Sequence, residues 1–234
     1  MILVTGASEG IGLACARVLL ERTEARVLIT GRSEDKLARA RATLPVAVRS
    51  RLCTLRSDQS RVEDLEELIG KLDAVESIDG AVLTVGANPM YDIGPQRIHA
   101  LDPATIESTI RTNCTHTMRL SSALLERMRR QRRGAIVWIG SQAAAAGLPG
   151  AALYCATKSF LSGLARAARN EYGRLGIRTH LTHPGLVRTP RTARVADAFA
   201  ARHARHVSEP VDAARQIVDL LLDGDANAVE VDLR

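Results

Sequence analysis

Short, almost wholly apolar runs alternate along this chain with longer amphipathic stretches. Ile2-Leu3-Val4, Arg26 to Thr30, the run around Arg51 to Leu55, Ala81 to Val85, Ala135 to Ile139, Ile177 to Thr182 and Val229 to Leu233 read as buried strands. Between them, polar and apolar positions repeat with helical spacing. Helices are predicted to end near Arg22, to start at Glu34, to cover Asp64 to Ile69, to run from Asp102 to Arg130, to start at Ala151, and to run from Ser208-Glu209-Pro210 through Leu222. Strand–helix alternation with short connections predicts an α/β protein: a doubly wound parallel sheet with helices on both faces. One domain over residues 1–234 suffices, with one half over about 1–133 and a second over about 134–234.

Composition narrows the picture by exclusion. At 234 residues, with 46% hydrophobic side chains and a mean hydropathy of −0.03, the chain can bury a sizeable core. Cys15, Cys53, Cys114 and Cys155 stand singly, so neither a zinc site nor a disulfide framework is indicated. His203 and His206 lack a carboxylate partner, and no metal is expected. Met1-Ile2-Leu3-Val4 leads straight into the first strand, and no apolar run approaches membrane-spanning length. A cytoplasmic protein with no membrane partner is the expectation. The net charge of +6 comes almost wholly from arginine, because only Lys36, Lys71 and Lys158 are lysine. Those arginines are dispersed through helical patterns without aromatic interleaving, which argues against nucleic acid and for a solvated surface.

The chemistry concentrates between Gly140 and Lys158. The strand ending at Ile139 delivers Ser141, small residues and Gly147, Pro149 and Gly150 form a loop, and the next helix carries Tyr154 and Lys158. Their i, i+4 spacing puts both side chains on one helical face. An ammonium beside a phenol favours phenolate, which suits proton transfer near neutral pH, and the Ser141 hydroxyl can polarise a carbonyl. At the other end of the chain, Thr5-Gly6-Ala7-Ser8-Glu9-Gly10-Ile11-Gly12 lies between the first strand and the first helix. Glycines there let the backbone approach a pyrophosphate at the helix N-terminus.

Serine, then Tyr-x-x-x-Lys, behind Thr-Gly-x-x-x-Gly-x-Gly: this set resembles the short-chain dehydrogenase/reductase family over nearly the whole chain. The resemblance implies a Rossmann fold and hydride transfer between a nicotinamide dinucleotide and a ketone or secondary alcohol, in the manner of ketoreductases and 3-oxoacyl reductases. It implies that Ser141 orients the carbonyl, Tyr154 transfers the proton, Lys158 holds the ribose and lowers the tyrosine pKa, and Asn113 in Ile110-Arg111-Thr112-Asn113-Cys114 distorts its helix and completes a relay. It places the cofactor against Thr5, Gly6, Ser8, Glu9, Gly10, Ile11 and Gly12. Further contacts are implied at Gly31, Arg32, Ser33, Asp58, Gly86, Ala87, Tyr154, Lys158, Pro184, Gly185, Val187 and Thr189.

Arg32 suits a 2′-phosphate, so NADP(H) is the preferred cofactor, with NAD(H) left open. Glu9 stands where NADP-using relatives often carry a basic residue and tempers that preference; Arg32 facing only solvent is the bland alternative. Asp58 either contacts adenine or caps a loop, and the two roles can coexist. The family's Asn-Asn-Ala-Gly turn is replaced by Thr84-Val85-Gly86-Ala87, with Thr84 a partial substitute. Arg191 to Val207 is expected to form the substrate lid.

The resemblance also implies a homodimer or homotetramer through the Asn113 and Tyr154 helices, with Ala167 and Ala168 as packing positions. Arg129, Arg130, Arg132, Arg133 and Arg174 match places where family members dock an acidic acyl or peptidyl carrier protein. Their simpler reading is complementarity to helix C-termini, which is the favoured one. The substrate is therefore a small carbonyl compound, with a carrier-bound one as the second reading. A non-catalytic dinucleotide sensor and an interaction protein using the arginine surface are the alternatives from other classes.

Overall fold

The computed structural model describes residues 1–202, 207–224 and 230–233. Seven strands, β1 (Ile2–Thr5), β2 (Val27–Gly31), β3 (Leu52–Arg56), β4 (Gly80–Leu83), β5 (Gly134–Ile139), β6 (Ile177–His183) and β7 (Glu230–Asp232), pair in parallel. They form one sheet in the order β3-β2-β1-β4-β5-β6-β7. The helices are α1 (Gly10–Arg22), α2 (Glu34–Thr43), α3 (Val62–Asp73), α4 (Met90–Ile93), α5 (Pro103–Ile110), α6 (Thr117–Gln131), α7 (Ala143–Ala146), α8 (Ala152–Tyr172), α9 (Ala193–Arg202) and α10 (Pro210–Asp223).

Strand alternation distributes the apolar side chains between two cores. Ile2 and Val4 face the core built with α1, α2 and α10, whereas Leu3 between them faces the core built with α3, α6 and α8. In β5, Ala135, Val137 and Ile139 face the first core, and Ile136 and Trp138 the second. The Trp138 indole is fully buried and donates from Nε1 to Ser121 Oγ at 2.9 Å, so its one polar atom is satisfied. Strand order reverses between β1 and β4, which opens a crevice at the carboxyl ends of these two strands.

Two local differences from the sequence reading, and one distortion it expected, have physical causes. β4 ends at Leu83 rather than Val85, because Thr84 turns back to Thr5: its N–H donates to Thr5 Oγ1 at 3.1 Å, and its hydroxyl donates to the Thr5 carbonyl at 2.5 Å. The helix expected from Asp102 to Arg130 is distorted at Asn113, as the resemblance implies: α5 and α6 are joined there by a π-helical segment, Arg111–His116. A π turn admits an extra residue per turn and is found mostly at functional sites. The loop expected after Ser141 contains α7, one short turn stopped by Gly147 at φ +62. Within the second half, α9 occupies part of the expected lid; His203 and His206 lie outside the described residues, as does Val229 at the start of the last strand. Among the described residues, no group of side chains suits a metal ion, and no helix is long and apolar enough to cross a membrane.

Candidate active site

The turn between β1 and α1 is shaped by glycines that cannot be replaced without strain. Gly6 and Gly10 have φ of +60 and +62, a region that L side chains rarely adopt. A Cβ on Gly12 would stand 2.7 Å from the Gly6 carbonyl, so the helix can approach the turn only without a side chain there. Glu9 is the N-cap residue of α1 but makes no side-chain capping bond, which leaves the first N–H groups of the helix aimed outward. Thr5 is fully buried and takes the paired bonds with Thr84 rather than facing a ligand.

A cleft of about 330 Å³ lies over this turn, lined by Gly6, Ser8, Glu9, Gly10, Ile11 and Gly12 together with Gly31, Arg32, Asp58, Gly86, Ala87 and Thr189. Thr5, Ser33, Tyr154, Lys158, Pro184, Gly185 and Val187 do not line it. Ser33 caps α2, accepting from the Lys36 N–H at 3.3 Å. Val187 is buried in the core and bridges to Ser208, and Gly185 backs onto Gln142. Thr189 packs its methyl group against Gly10, while its hydroxyl is engaged with Thr192 Oγ1 at 2.9 Å. Asp58 Oδ1 accepts from the Ser60 N–H and hydroxyl at 3.0 and 2.8 Å, so the loop role is filled and its second oxygen takes neither bond. Beside it, Gln59 is buried on the cleft wall, and its Nε2 has no hydrogen-bond partner.

Charge is unevenly placed at the Arg32 end. Glu9 is paired with Lys36 at 2.9 Å, whereas Arg32 projects from the end of β2 into the cleft as an exposed guanidinium. The glycine cradle, the outward helix N-terminus and the unpartnered Gln59 amide together fit a dinucleotide. Gly6, Gly10 and Gly12 could hold a pyrophosphate there, and Asp58 could meet an adenine.

Beside the other end of the cleft, three elements bring four chemical groups together. Ser141 follows β5, Tyr154 and Lys158 project from one face of α8, and Asn113 comes from the π segment. The Ser141 hydroxyl lies close enough to the Tyr154 phenol to favour its ionisation, and it accepts from the Ala143 N–H at 3.1 Å. Asn113 is fully committed: Oδ1 accepts from Ala87 N at 2.7 Å, and Nδ2 donates to Ala87 O at 2.8 Å and to Thr157 Oγ1 at 2.9 Å. Thr157 in turn donates to the Tyr154 carbonyl at 2.9 Å. Lys158 is buried, donates from Nζ to the Ile139 carbonyl at 2.7 Å, and has its ammonium 5.7 Å from the Tyr154 ring centroid. Gly86 is needed here, since a Cβ would stand 2.9 Å from that Nζ.

The acidities differ from the expectation that lysine lowers the tyrosine. Burial pushes the Tyr154 phenol up to about 12; the Ser141 hydroxyl opposes this, and Tyr91 adds to it. Burial likewise brings the Lys158 ammonium down to about 8. Desolvation therefore outweighs pairing at both groups, and the ammonium is spent on a backbone carbonyl rather than on the phenol oxygen.

Several residues of the site carried no motif. Thr157 sits inside Tyr-x-x-x-Lys, where only its i+3 position relative to Tyr154 hinted at a role. Asp92 and Arg191 line the cleft and pair across it at 2.8 Å, but 99 residues separate them. The expected packing position Ala168 is buried inside its own subunit and cannot meet a partner.

Residues 1–199 match the family model of short chain dehydrogenase. The chain is 30% identical over 190 residues to the 3-oxoacyl-[acyl-carrier-protein] reductase of Rickettsia prowazekii (strain Madrid E), covering 81% of this chain and 73% of that protein. It is 28% identical over 226 residues to cis-4-hydroxycyclohexanecarboxylate dehydrogenase of Sinomonas cyclohexanicum, covering 94% and 88%. A solved short chain dehydrogenase/reductase family protein superposes with a TM-score of 0.86 at 28% identity, covering 99% of this chain and 94% of the other.

The buried ammonium makes a stability prediction with a defined sign. With a folded pKa of about 8 against an ordinary 10.5, the unfolded chain binds more protons between those values, so this group's contribution to stability rises with pH through that window. Lys158→Met should therefore raise stability to chemical denaturation below pH 8 by on the order of 1–3 kcal/mol, and the gain should vanish towards pH 10.5. A pH-independent difference, or a loss at pH 6, would show that burial does not dominate this lysine.

Proposed function

The chain belongs to the short-chain dehydrogenase family, and on that premise we propose that it is a ketoreductase transferring hydride between NADP(H) and a ketone or secondary alcohol. The observation that carries the proposal is the clustering of Ser141, Tyr154 and Lys158 beside the glycine-lined cleft, where Lys158 reaches its Ile139 and Gly86 wall and Asn113 locks the adjoining turn. A sensor needs only the cleft; it has no use for a serine hydroxyl, a buried phenol and a buried ammonium gathered beside it.

NADP(H), when bound, supplies or accepts the hydride. In the reducing direction, Ser141 donates to the substrate carbonyl and fixes its orientation next to Tyr154. Tyr154, held neutral by burial, then gives its proton to the oxygen as negative charge develops there. Lys158, brought to about 8, is cationic at neutral pH yet ready to release a proton, so it suits the return of a proton to the tyrosine. Lys158 presents its ammonium beside Gly86, on the cleft wall, and would hold the cofactor ribose from there. Asn113 acts on the backbone and is a positioning residue: it holds the Ala87 peptide against α8 through Thr157.

Arg32 supports NADP(H) over NAD(H), because a guanidinium at the end of β2 can pair bidentately with a 2′-phosphate. Glu9 with its Lys36 partner, and Glu34 and Asp35 in the first turn of α2, temper this preference. The substrate is a small carbonyl compound. A carrier-bound acyl group is the second reading, supported by the name of the Rickettsia relative. The arginine surface favours it weakly: Arg129 and Arg130 share Glu126, and Arg133 pairs with Asp79. Exposed Ile110 and Met118 on the Asn113 helix support assembly as a homodimer or homotetramer. The absence of a spanning helix among the described residues agrees with a cytoplasmic setting.

Two measurements test this reading. Tyr154→Phe keeps the ring and removes the transferable proton, so NADPH oxidation over a panel of ketones should fall by about 10²–10⁴-fold with NADPH affinity little changed. Near wild-type turnover would remove tyrosine from the mechanism. Arg32→Ala should weaken NADPH binding by roughly 1–3 kcal/mol and NADH binding far less. Equal losses, or a wild-type preference for NADH, would contradict the cofactor assignment.

A further inference from the structure

Two charged side chains at the reacting end of the cleft take no part in the proposed hydride and proton steps. Arg191, two residues beyond Thr189, reaches across to Asp92 in α4, and Nη2 lies 2.8 Å from Oδ2. Both line the same cleft. The guanidinium also lies over the Tyr91 ring, 5.8 Å from its centroid, so a second contact holds it in place. Tyr91 and Arg191 are near enough to Tyr154 that each acts electrostatically on its phenol. The cations that line the cleft, among the described residues, are thus at opposite ends: Arg32 at one, Arg191 beside the reacting groups.

The two partners are unequally buried. The Asp92 side chain is 66% exposed and the Arg191 side chain 38%. An ion pair with one partner so open to water contributes little, and a competing anion can displace it. The aromatic face keeps the guanidinium where it is when the carboxylate leaves. A fixed guanidinium with a weak, outward-facing counterion is a site prepared for a planar or tetrahedral oxyanion, which arginine binds in bidentate fashion.

We propose that Arg191 is a specificity-determining residue that recognises a carboxylate or phosphate on the carbonyl substrate, with Asp92 as the counterion it gives up. This inference rests on the ketoreductase reading for its chemistry, but the binding it describes does not need turnover. It makes the substrate a carbonyl compound with an anionic group on the side of the carbonyl that faces Arg191 and Tyr91.

The test pairs charged and neutral ketones. Michaelis constants are measured for 4-oxopentanoate against its methyl ester, and for dihydroxyacetone phosphate against dihydroxyacetone, in wild type, Arg191→Gln, Arg191→Lys and Asp92→Asn. Binding of NADPH, and of each ketone to the NADP⁺ complex, is measured in parallel by calorimetry. The expected result is a rise of about tenfold or more in KM for a charged ketone in Arg191→Gln, with partial rescue in Arg191→Lys and a change within about twofold for its neutral partner. Asp92→Asn should lower KM for the charged ketone. The pair showing the larger discrimination identifies carboxylate or phosphate. Equal effects on charged and neutral ketones would overturn the inference, leaving Arg191 and Asp92 as a tie between the cleft rims. Lost NADPH affinity in Arg191→Gln would assign the cation to the cofactor and overturn it too. Arg191-dependent binding of a charged ketone without turnover in wild type would sustain it while the ketoreductase reading fails; no binding of either charged ketone would overturn it.

Discussion

The side-chain amide of Asn113 closes a two-way hydrogen-bonded clasp on the Ala87 peptide, and the reacting end of the cleft depends on that clasp. One amide pairs with both polar groups of one residue and, through its second N–H, with Thr157 on α8. Three pieces of chain distant in sequence are thereby fixed to one another: the turn after β4, the π segment, and the helix that carries Tyr154 and Lys158. A buried amide with all these bonds made is stable, whereas any one of its partners left alone would carry a desolvation cost. The π segment places Asn113 at this depth, which explains why a helix gives up regular geometry here.

Around the clasp, burial sets the chemistry more strongly than neighbouring charge. Lys158 and Tyr154 share a helix face, yet the ammonium bonds the Ile139 carbonyl, and the phenol feels Ser141 rather than the lysine. Each group is therefore held nearer its neutral form than in water: the phenol as a proton donor, the lysine at the edge of releasing one. The two functions need the same dry wall, made by Gly86, Ile139 and the end of β5. Charge enters at the open ends of the cleft instead, where Arg32 and Arg191 stand and where salt bridges are partly solvated.

Much of this was legible in the sequence because it depends on local chemistry. The glycine spacing between Thr5 and Gly12, the apolar runs and the Tyr154–Lys158 spacing each report on backbone a few residues away. The doubly wound parallel sheet followed from that alternation, and the grouping of Ser141 with Tyr154 from the family resemblance. Sequence spacing failed where a side chain chose a distant partner. Thr84 ended β4 early by bonding Thr5, and Lys158 was assigned to the phenol although a backbone carbonyl lay nearer. The Asp92–Arg191 pair had no periodic or motif signal, since the fold alone brings α4 and the segment after β6 together. Pro184, Gly185 and Val187 matched a family turn but support the cleft from behind rather than line it.

The dominance of burial over the lysine charge can be read directly, because the chain has only three tyrosines, Tyr91, Tyr154 and Tyr172. Ultraviolet difference titration of wild type against Tyr154→Phe isolates the ionisation of Tyr154 in the folded protein without cofactor. The expected result is a phenol that stays neutral through pH 10 and ionises at about 12. A Tyr154 phenolate forming below the ordinary value of 10 in that protein would contradict it, and would restore Lys158 as the group that sets the acidity of the proton donor.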